Sequence, residues 1–360
     1  MINSLYQKFI LFLSQYGIDN NVGTFLFSPI PFFFIISALI LTVLILVLAE
    51  RKLLGYFTQR KGPNRVGIWG ILQTVADGIK ILCKENIEPS SVDNILYSLA
   101  PIISFTAIIL LWCLIPYNAD FYIIQSDISV LIFYFVSSIP ALFNFLAGYS
   151  SNNKYSLLGC FRGILLFISY SVAFLLVLLS ITVITNSMDF VQIINSQTKI
   201  WNIFINFIGF LIFYICILAK LHRCPFDLTE AESELVCGFH TEYSGMRFAM
   251  FFLSEYAELA ILSALVVILF FGGYLPPFNF YLSNILLRDC SLGRYLIYLE
   301  QSFWLIAKTI CVIFTTIWIR ASFPRLKPKH ILDLFWKYLI PIGLINLIIL
   351  EVLCLILDII

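Results

Sequence analysis

Residues 248–273, FAMFFLSEYAELAILSALVVILFFGG, are apolar over a length that crosses a bilayer, yet they carry two carboxylates, Glu255 and Glu258. About 20 apolar residues suffice for a helical span, so this window predicts a transmembrane helix. Its two acids stand three residues apart and share a helix face. Acids are costly inside a membrane and mark proton or ion handling. Just upstream, residues 220–247 read KLHRCPFDLTEAESELVCGFHTEYSGMR and add Asp227, Glu230, Glu232, Glu234 and Glu242. No Lys or Arg lies between Asp227 and Glu242, in a chain whose charged fraction is 12%. The plain alternative for this upstream stretch is a solvated acidic loop between two helices.

The rest of the composition agrees with a membrane protein. Hydrophobic residues make up 61% of the 360, 35 are Phe, and mean hydropathy is +0.96. No soluble domain hides that much apolar surface. A net charge of +1 leaves no basic field to recruit nucleic acid. The nine Cys show no C-x-x-C pair and no Cys/His ligand spacing, which argues against a metal or Fe–S site in this chain. They read as small apolar fillers or free thiols. His222, His240 and His330 are too scattered to hold a haem between paired helices. The N-terminus lacks a basic region followed by a cleavage site, so no removable presequence is expected. The excess of Phe and Ile fits an AT-rich genome such as an organelle's.

Apolar windows predict eight spans, at 27–49, 95–116, 128–148, 161–184, 200–219, 248–273, 301–321 and 338–359. Pro140 interrupts the third and several Asn interrupt the fifth. Residues 1–16 are expected to form a short surface helix. The loops after spans one, three, five and seven, with Arg162 and Lys337 beside them, hold seventeen Lys and Arg, against four on the other side. By the positive-inside rule the basic loops face the cytoplasm or matrix. No internal repeat is visible, which counts against a transporter built from two related halves. The fold class is therefore an all-α integral membrane protein, one domain of about eight transmembrane helices plus an amphipathic interfacial helix.

That interfacial helix belongs to the first long basic-side loop, 50–94. Gly62-Pro63-Asn64 is turn chemistry. After it Ile68, Ile71, Leu72, Val75, Ile79 and Leu82 recur at helical spacing, with Trp69 at the start and Gln73, Asp77, Lys80 and Lys84 on another face. Such a helix lies in the membrane interface, either as a plain anchor or as the floor of a lateral opening for a lipid-soluble ligand. In the second long loop, 220–247, Asp227 with Glu230 and Thr229 with Glu232 have capping-box spacing. A helix starting there places Glu230 and Glu234 on one face, and acids so close titrate as a coupled set. Arg223 is the local counter-charge. Lys308 and Glu351 are further intramembrane charges, and Lys308 needs a partner.

Six strings give the chain a resemblance: ERKLLGYFTQRKGPNRVG at 50–67, ADGIKILCKE at 76–85, SNNKYSLLGCFR at 151–162, RCPFDLTEAESELVCGF at 223–239, TEYSGMRFAMFFLSEY at 241–256 and WIRASFPR at 318–325. In that order, over nearly the whole chain, they resemble the quinone-channel membrane subunit of respiratory complex I, the NADH:ubiquinone oxidoreductase chain 1 family. The resemblance implies eight spans, a place where the membrane arm meets the peripheral arm, and ubiquinone as substrate. It also implies that FMN and Fe–S clusters sit on partner subunits. The first and sixth spans with the amphipathic helix would frame the way in for quinone. Glu50, Arg51, Arg60, Asp77, Arg223, Asp227, Phe239, Arg320 and Arg325 would line or brace the quinone tunnel. Tyr170, Glu230, Glu232, Glu234, Glu242, Glu255 and Glu258 would carry the proton path. A mitochondrial inner membrane is the expected home, with the basic loops in the matrix; a bacterial plasma membrane is the alternative. The rival readings are the equivalent subunit of a plastoquinone- or hydrogenase-type complex and a stand-alone cation–proton antiporter.

Three positions depart from the family pattern. Ser171 stands where the family has an intramembrane Glu after Tyr170, Lys220 replaces a Glu two residues before His222, and His240 replaces an Asn. Two expected carboxylates are thus absent, and one of them has become a base. The reading is that Glu258 or Glu351 compensates, or that water and Ser171 carry the path.

Overall fold

The structure is a computed structural model that describes residues 29–119, 122–229, 231–277 and 291–356. Every regular element among these residues is helical. In chain order they are α1 (Pro29–Phe57), α2 (Gln73–Leu82), α3 (Asn94–Leu114), α4 (Ser129–Ser150), α5 (Lys154–Thr185), α6 (Phe190–Ser196), α7 (Asn202–Ile205), α8 (Phe207–Lys220), α9 (Glu232–Leu235), α10 (Gly245–Phe270), α11 (Ser291–Ser322), α12 (Pro328–Asp333) and α13 (Ile340–Ile356). A π-helical turn, Leu334–Leu339, joins α12 to α13 without a break. Within the described residues, seven of the eight expected windows overlap one helical segment each, and the fifth overlaps two, α7 and α8. Six helical segments are long and apolar enough to cross a membrane, namely α3, α4, α5, α10, α11 and the joined α12–α13. Helix α1 covers the first window with 29 residues, and α8 is a shorter apolar helix. The helix expected at 1–16 lies outside the described residues.

Helix α10 is the centre of the bundle, packed against α3, α11, α1 and α2. Its apolar half, Leu259 to Phe270, is almost wholly buried against other helices rather than lipid. A second group of helices is organised on α5, which meets α4, α8 and α13.

The polar residues that interrupt the fifth window have structural work. Asn206 splits it into α7 and α8. Its side chain accepts from the Gly209 N–H (2.8 Å), donates to Ser180 Oγ (2.8 Å) and accepts from Asn346 Nδ2 (2.9 Å). One amide therefore caps α8 and ties it to α5 and α13. Gln197 and Asn202 donate to the carbonyls of Ile268 and Leu269, at 2.9 Å each. Lys308, the intramembrane cation, finds its partners in three more carbonyls, Phe271 (2.7 Å), Gly273 (3.1 Å) and Leu275 (2.6 Å), and lies 4.8 Å from the centroid of the Trp201 ring. Unsatisfied backbone groups are not tolerated in hydrocarbon, and a cation at a helix C-terminus also opposes the negative dipole end. Pro140 does not stop α4, which runs on to Ser150.

Two local expectations are corrected. The amphipathic segment is not one helix starting at Trp69. Trp69 (φ 57) and Gly70 (φ 74) both adopt left-handed backbone, leaving a 3₁₀ turn at Ile68–Gly70 before α2. A Cβ on Gly70 would stand 2.2 Å from the Pro63 carbonyl oxygen, so the break comes from the close approach of the Gly-Pro-Asn turn. The apolar face is nonetheless as expected, with Ile68, Trp69, Ile71, Leu72, Val75, Ile79 and Leu82 all exposed. Nor does a helix start at Asp227 or Thr229, where the capping-box spacing places it. Helix α9 has Ala231 at its N-cap with no side-chain cap, because Asp227 is taken by Arg325 and Thr229 is buried.

Replacing Lys308 by Met strips the ammonium from three carbonyls. Hydrogen bonds to a charged group contribute about 1.5–3 kcal/mol each. The expected result is a protein that inserts but melts at a clearly lower temperature, read by thermal unfolding in detergent, with Lys308→Arg intermediate.

Candidate functional site

The charged residues converge at the end of the bundle where α1 finishes. Glu50, on α1, is 2% exposed. Its Oε1 accepts from Arg223 Nη1 in the loop after α8 and from Arg320 Nη1 on α11. Its Oε2 is buried without a partner among the described residues. The Arg223 guanidinium lies 4.9 Å from the centroid of the Tyr256 ring on α10. Four residues on, Asp227 Oδ2 pairs with Arg325 Nη2 at 2.7 Å and accepts from Cys224 Sγ at 3.8 Å. Burial pushes the Cys224 thiol up, with Asp227 adding to the effect and Arg325 opposing it. Burial tends to lower Arg325, but the Asp227 carboxylate prevails and holds the guanidinium above its ordinary value.

Beside this cluster opens a cavity of about 250 Å³. Arg223, Asp227, Arg320, His222, His240 and Glu255 supply its polar wall, and Phe248, Phe252 and Tyr256 its aromatic wall. A second cavity, of about 470 Å³, is lined by Arg51, Asp77, Lys80, Lys84, Tyr243 and Phe248. Phe248 is common to both, and Asp77 and Lys80 of α2 line the second. In the second cavity Arg51 Nη1 meets Asp77 Oδ2 at 2.5 Å, and Gln73 Nε2 donates to Asp77 Oδ1 at 3.0 Å. Slight burial raises Asp77, but the hydrogen bonds from Arg51 and Gln73 outweigh it and hold the carboxyl below its ordinary value. A depressed carboxylate stabilises the fold above its unfolded pKa and loses that effect as pH falls. The α1–α2 tie is therefore constant at physiological pH and loosens only in strong acid.

On α10 the two acids face different bases. His240 Nε2 lies 3.1 Å from Glu255 Oε1, and Lys220 Nζ lies 3.8 Å from Glu258 Oε1. Glu255, Glu258, Lys220, His222 and Tyr170 all line a small chamber of about 10 Å³. Glu255 and His222 line both this chamber and the first cavity.

Among the expected tunnel residues, Glu50, Arg223, Asp227, Arg320 and Arg325 come together, with Arg51 and Asp77 next door. Arg60 does not join them; its Nε donates to Thr58 Oγ1 at 3.1 Å in an exposed turn. Phe239 is buried in a separate core group with Tyr97, Ala100, Ala147, Tyr243 and Phe251, and meets Phe251 edge-on. Among the expected proton-path residues, Tyr170, Glu255 and Glu258 share the chamber. Glu234 is 59% exposed and paired with Arg162 at 2.5 Å. Glu242 Oε1 accepts from Asn153 Nδ2 at 2.5 Å. Glu230 and the side chain of Glu232 lie outside the described residues. Residues that sequence reasoning passed over as site members are His222, Cys224, Cys237, Phe248, Phe252 and Tyr256. The signal for the first was its place beside Arg223; the aromatic ones are indistinguishable from ordinary span residues.

Removing one partner of a buried charge cluster costs about 3–5 kcal/mol. Glu50→Ala leaves two arginines facing each other and is expected to lower the melting temperature and the yield of folded protein. Glu50→Gln, which keeps the shape and an acceptor oxygen, is expected to fall between. Thermal unfolding of the purified variants checks both.

The family described as NADH dehydrogenase matches residues 30–351. Relatives include NADH-ubiquinone oxidoreductase chain 1 of Chondrus crispus, 41% identical over 86% of this chain and 91% of the relative. NADH-quinone oxidoreductase subunit 8 of Rhodothermus marinus is 44% identical over 88% of this chain and 94% of its own length. Likeness of this extent, over a buried charge cluster built from the same strings that carried the resemblance, leaves one assignment: the chain belongs to the NADH dehydrogenase family.

Proposed function

We propose that this chain is the membrane subunit of a proton-translocating NADH:ubiquinone oxidoreductase, and that it admits quinone from the bilayer and couples quinone reduction to proton movement. The observation that carries the reading is the shared wall. One cavity is lined by two arginines, three aromatic rings and Glu255, and Glu255 also lines the small chamber. A polar cavity with an aromatic wall suits the headgroup of a quinone. Guanidinium groups at Arg223 and Arg320 suit its carbonyl oxygens as they gain charge.

In this reading the exposed face of α2 lies in the membrane interface and the 470 Å³ cavity is the way in from it. The 250 Å³ cavity beyond Phe248 is the polar part of the passage. Charge that develops there is felt by Asp227 and Glu255. A unit charge 4 Å away is worth about 4 kcal/mol at an effective dielectric near 20, about three pKa units, which is enough to change the protonation of a carboxylate. Protons then move from the acids of the 227–242 loop through Glu255 toward Glu258. The flavin and Fe–S clusters that supply the electrons belong to partner subunits of the membrane and peripheral arms. The basic loops face the matrix of a mitochondrion, with a bacterial plasma membrane as the alternative home.

Gentle extraction followed by native separation tests the assignment. The expected result is one large particle holding this chain, flavoprotein and Fe–S subunits, and NADH:quinone activity; a chain that migrates alone overturns it. Within that particle, Phe248→Trp narrows the junction of the two cavities. It is expected to raise the KM for a long-tailed quinone several-fold more than for a short-tailed one, with kcat little changed, the pattern of lost access rather than lost chemistry.

A further inference from the structure

The chamber on α10 has two polar atoms with nothing to bond to. Tyr170 Oη, from α5, and Asn144 Oδ1, from α4, are buried and without hydrogen-bond partners among the described residues, and both residues line the chamber. An unmade hydrogen bond on a buried polar group costs about 1–3 kcal/mol. The volume of about 10 Å³ matches the room one water needs, and a buried water requires about two to four polar partners. Glu255, Glu258, Lys220 and His222 supply the rest of its polar lining, beside Ala141 and Leu221.

The chemistry around that position is paired. The side chain of Lys220, which ends α8, is 4% exposed and that of Glu258 is 12% exposed, at 3.8 Å from each other. The ammonium also lies 5.2 Å from the centroid of the Phe174 ring. One turn earlier, His240 sits 3.1 Å from Glu255. A buried ion pair with no further role can be exchanged for neutral groups of similar shape at little cost, which gives the structural alternative a definite consequence.

We propose that the chamber holds one ordered water that passes a proton from Glu255 to Glu258, and that Lys220 is a positioning residue that keeps Glu258 ionised and ready to receive it. The proposal rests on the functional reading above. In the step, the O–H bond of protonated Glu255 breaks as the water accepts its proton. The water releases one of its own protons, and a new O–H bond forms on Glu258. Glu255 ends as a carboxylate, Glu258 as a carboxylic acid, the water is unchanged and no electrons move. The Lys220–Glu258 pair goes from neutral to a net charge of +1. That surplus charge, held away from solvent, favours onward release. Lys220 itself keeps its proton throughout, so a guanidinium can replace it.

The test uses the intact complex in sealed membrane vesicles, with assembly read by native electrophoresis and NADH-driven proton uptake measured beside NADH oxidation. The double variant Lys220→Met/Glu258→Gln removes both charges without stranding either. Loss of a positioned proton-transfer group slows such steps by about 10²–10⁴-fold, so proton uptake is expected to fall about tenfold or more in a complex that still assembles. Lys220→Met alone is expected to fail as badly, and Lys220→Arg to restore uptake. Asn144→Leu fills the water position with all charges in place and is expected to cut uptake too, which keeps the proposal testable if the double variant does not assemble. Wild-type uptake in the double variant would make the pair structural and overturn the relay. Wild-type uptake in Asn144→Leu would remove the water, and a Lys220→Arg as inactive as Lys220→Met would overturn the positioning role. If the unaltered complex oxidises NADH with quinone but moves no protons, it is the functional reading that falls, a result distinct from all of these.

Discussion

The burial of the Glu50 carboxylate is the constraint on which the polar end of this molecule depends. A charge that deep needs partners, and two arginines from distant parts of the sequence provide them. Arg223 arrives from the loop after α8 and Arg320 from the end of α11. Fixing Arg223 fixes the segment that follows, whose Asp227 then meets Arg325 just beyond α11. The Leu326 N–H donates to the Pro225 carbonyl at 3.0 Å and closes the same loop with backbone. Tyr256 on α10 lies under Arg223, and its neighbour Glu255 lines the same cavity. One buried carboxylate thus positions α1, α11 and the 223–227 loop.

The opposite end of α10 solves a different problem. There the difficulty is carbonyl groups left over where the helix stops, and Gln197, Asn202 and Lys308 answer it with donors. Charge pairs gather at one end of the helix and backbone satisfaction at the other. Between them Leu259 to Phe270 are buried in apolar contact. The separation matters for a proton path, because an acid chain that continued through α10 toward Lys308 would meet a cation already committed to three carbonyls.

Much of this was legible in the sequence because membrane solvation writes it plainly. Spans of about 20 apolar residues have no soluble alternative, and within the described residues all eight windows overlap helices. The convergence of Glu50, Arg223, Asp227, Arg320 and Arg325 followed from motif resemblance rather than from spacing, since their partners lie up to 270 residues apart. What misled were local rules applied where long-range charge prevailed. Asp227 has the spacing of a helix cap worth about 1 kcal/mol, but a guanidinium competes for it and wins. The turn at Trp69 and Gly70 was hidden because a continuous apolar stripe says nothing about backbone sign. Phe239 sits inside a conspicuous motif and packs with Tyr97, Tyr243 and Phe251, a placement that the motif alone does not give.

Lys220 and His240 stand where the family pattern expects an acid and an amide, and the structure sets each against an acid of α10. Two carboxylates three residues apart on one helix face repel one another, and in a low dielectric at least one of them stays protonated. A base beside each relieves that conflict. His240 stands beside Glu255 and Lys220 beside Glu258, so each acid has a basic partner. A relay must begin with an empty acceptor, and in the proposed chamber the cation on Lys220 is what keeps Glu258 empty. Under the proposed relay, the exchange of a carboxylate for a base at position 220 does not sever the path at that point. The proton-carrying group is then on α10, and α8 holds the counter-charge.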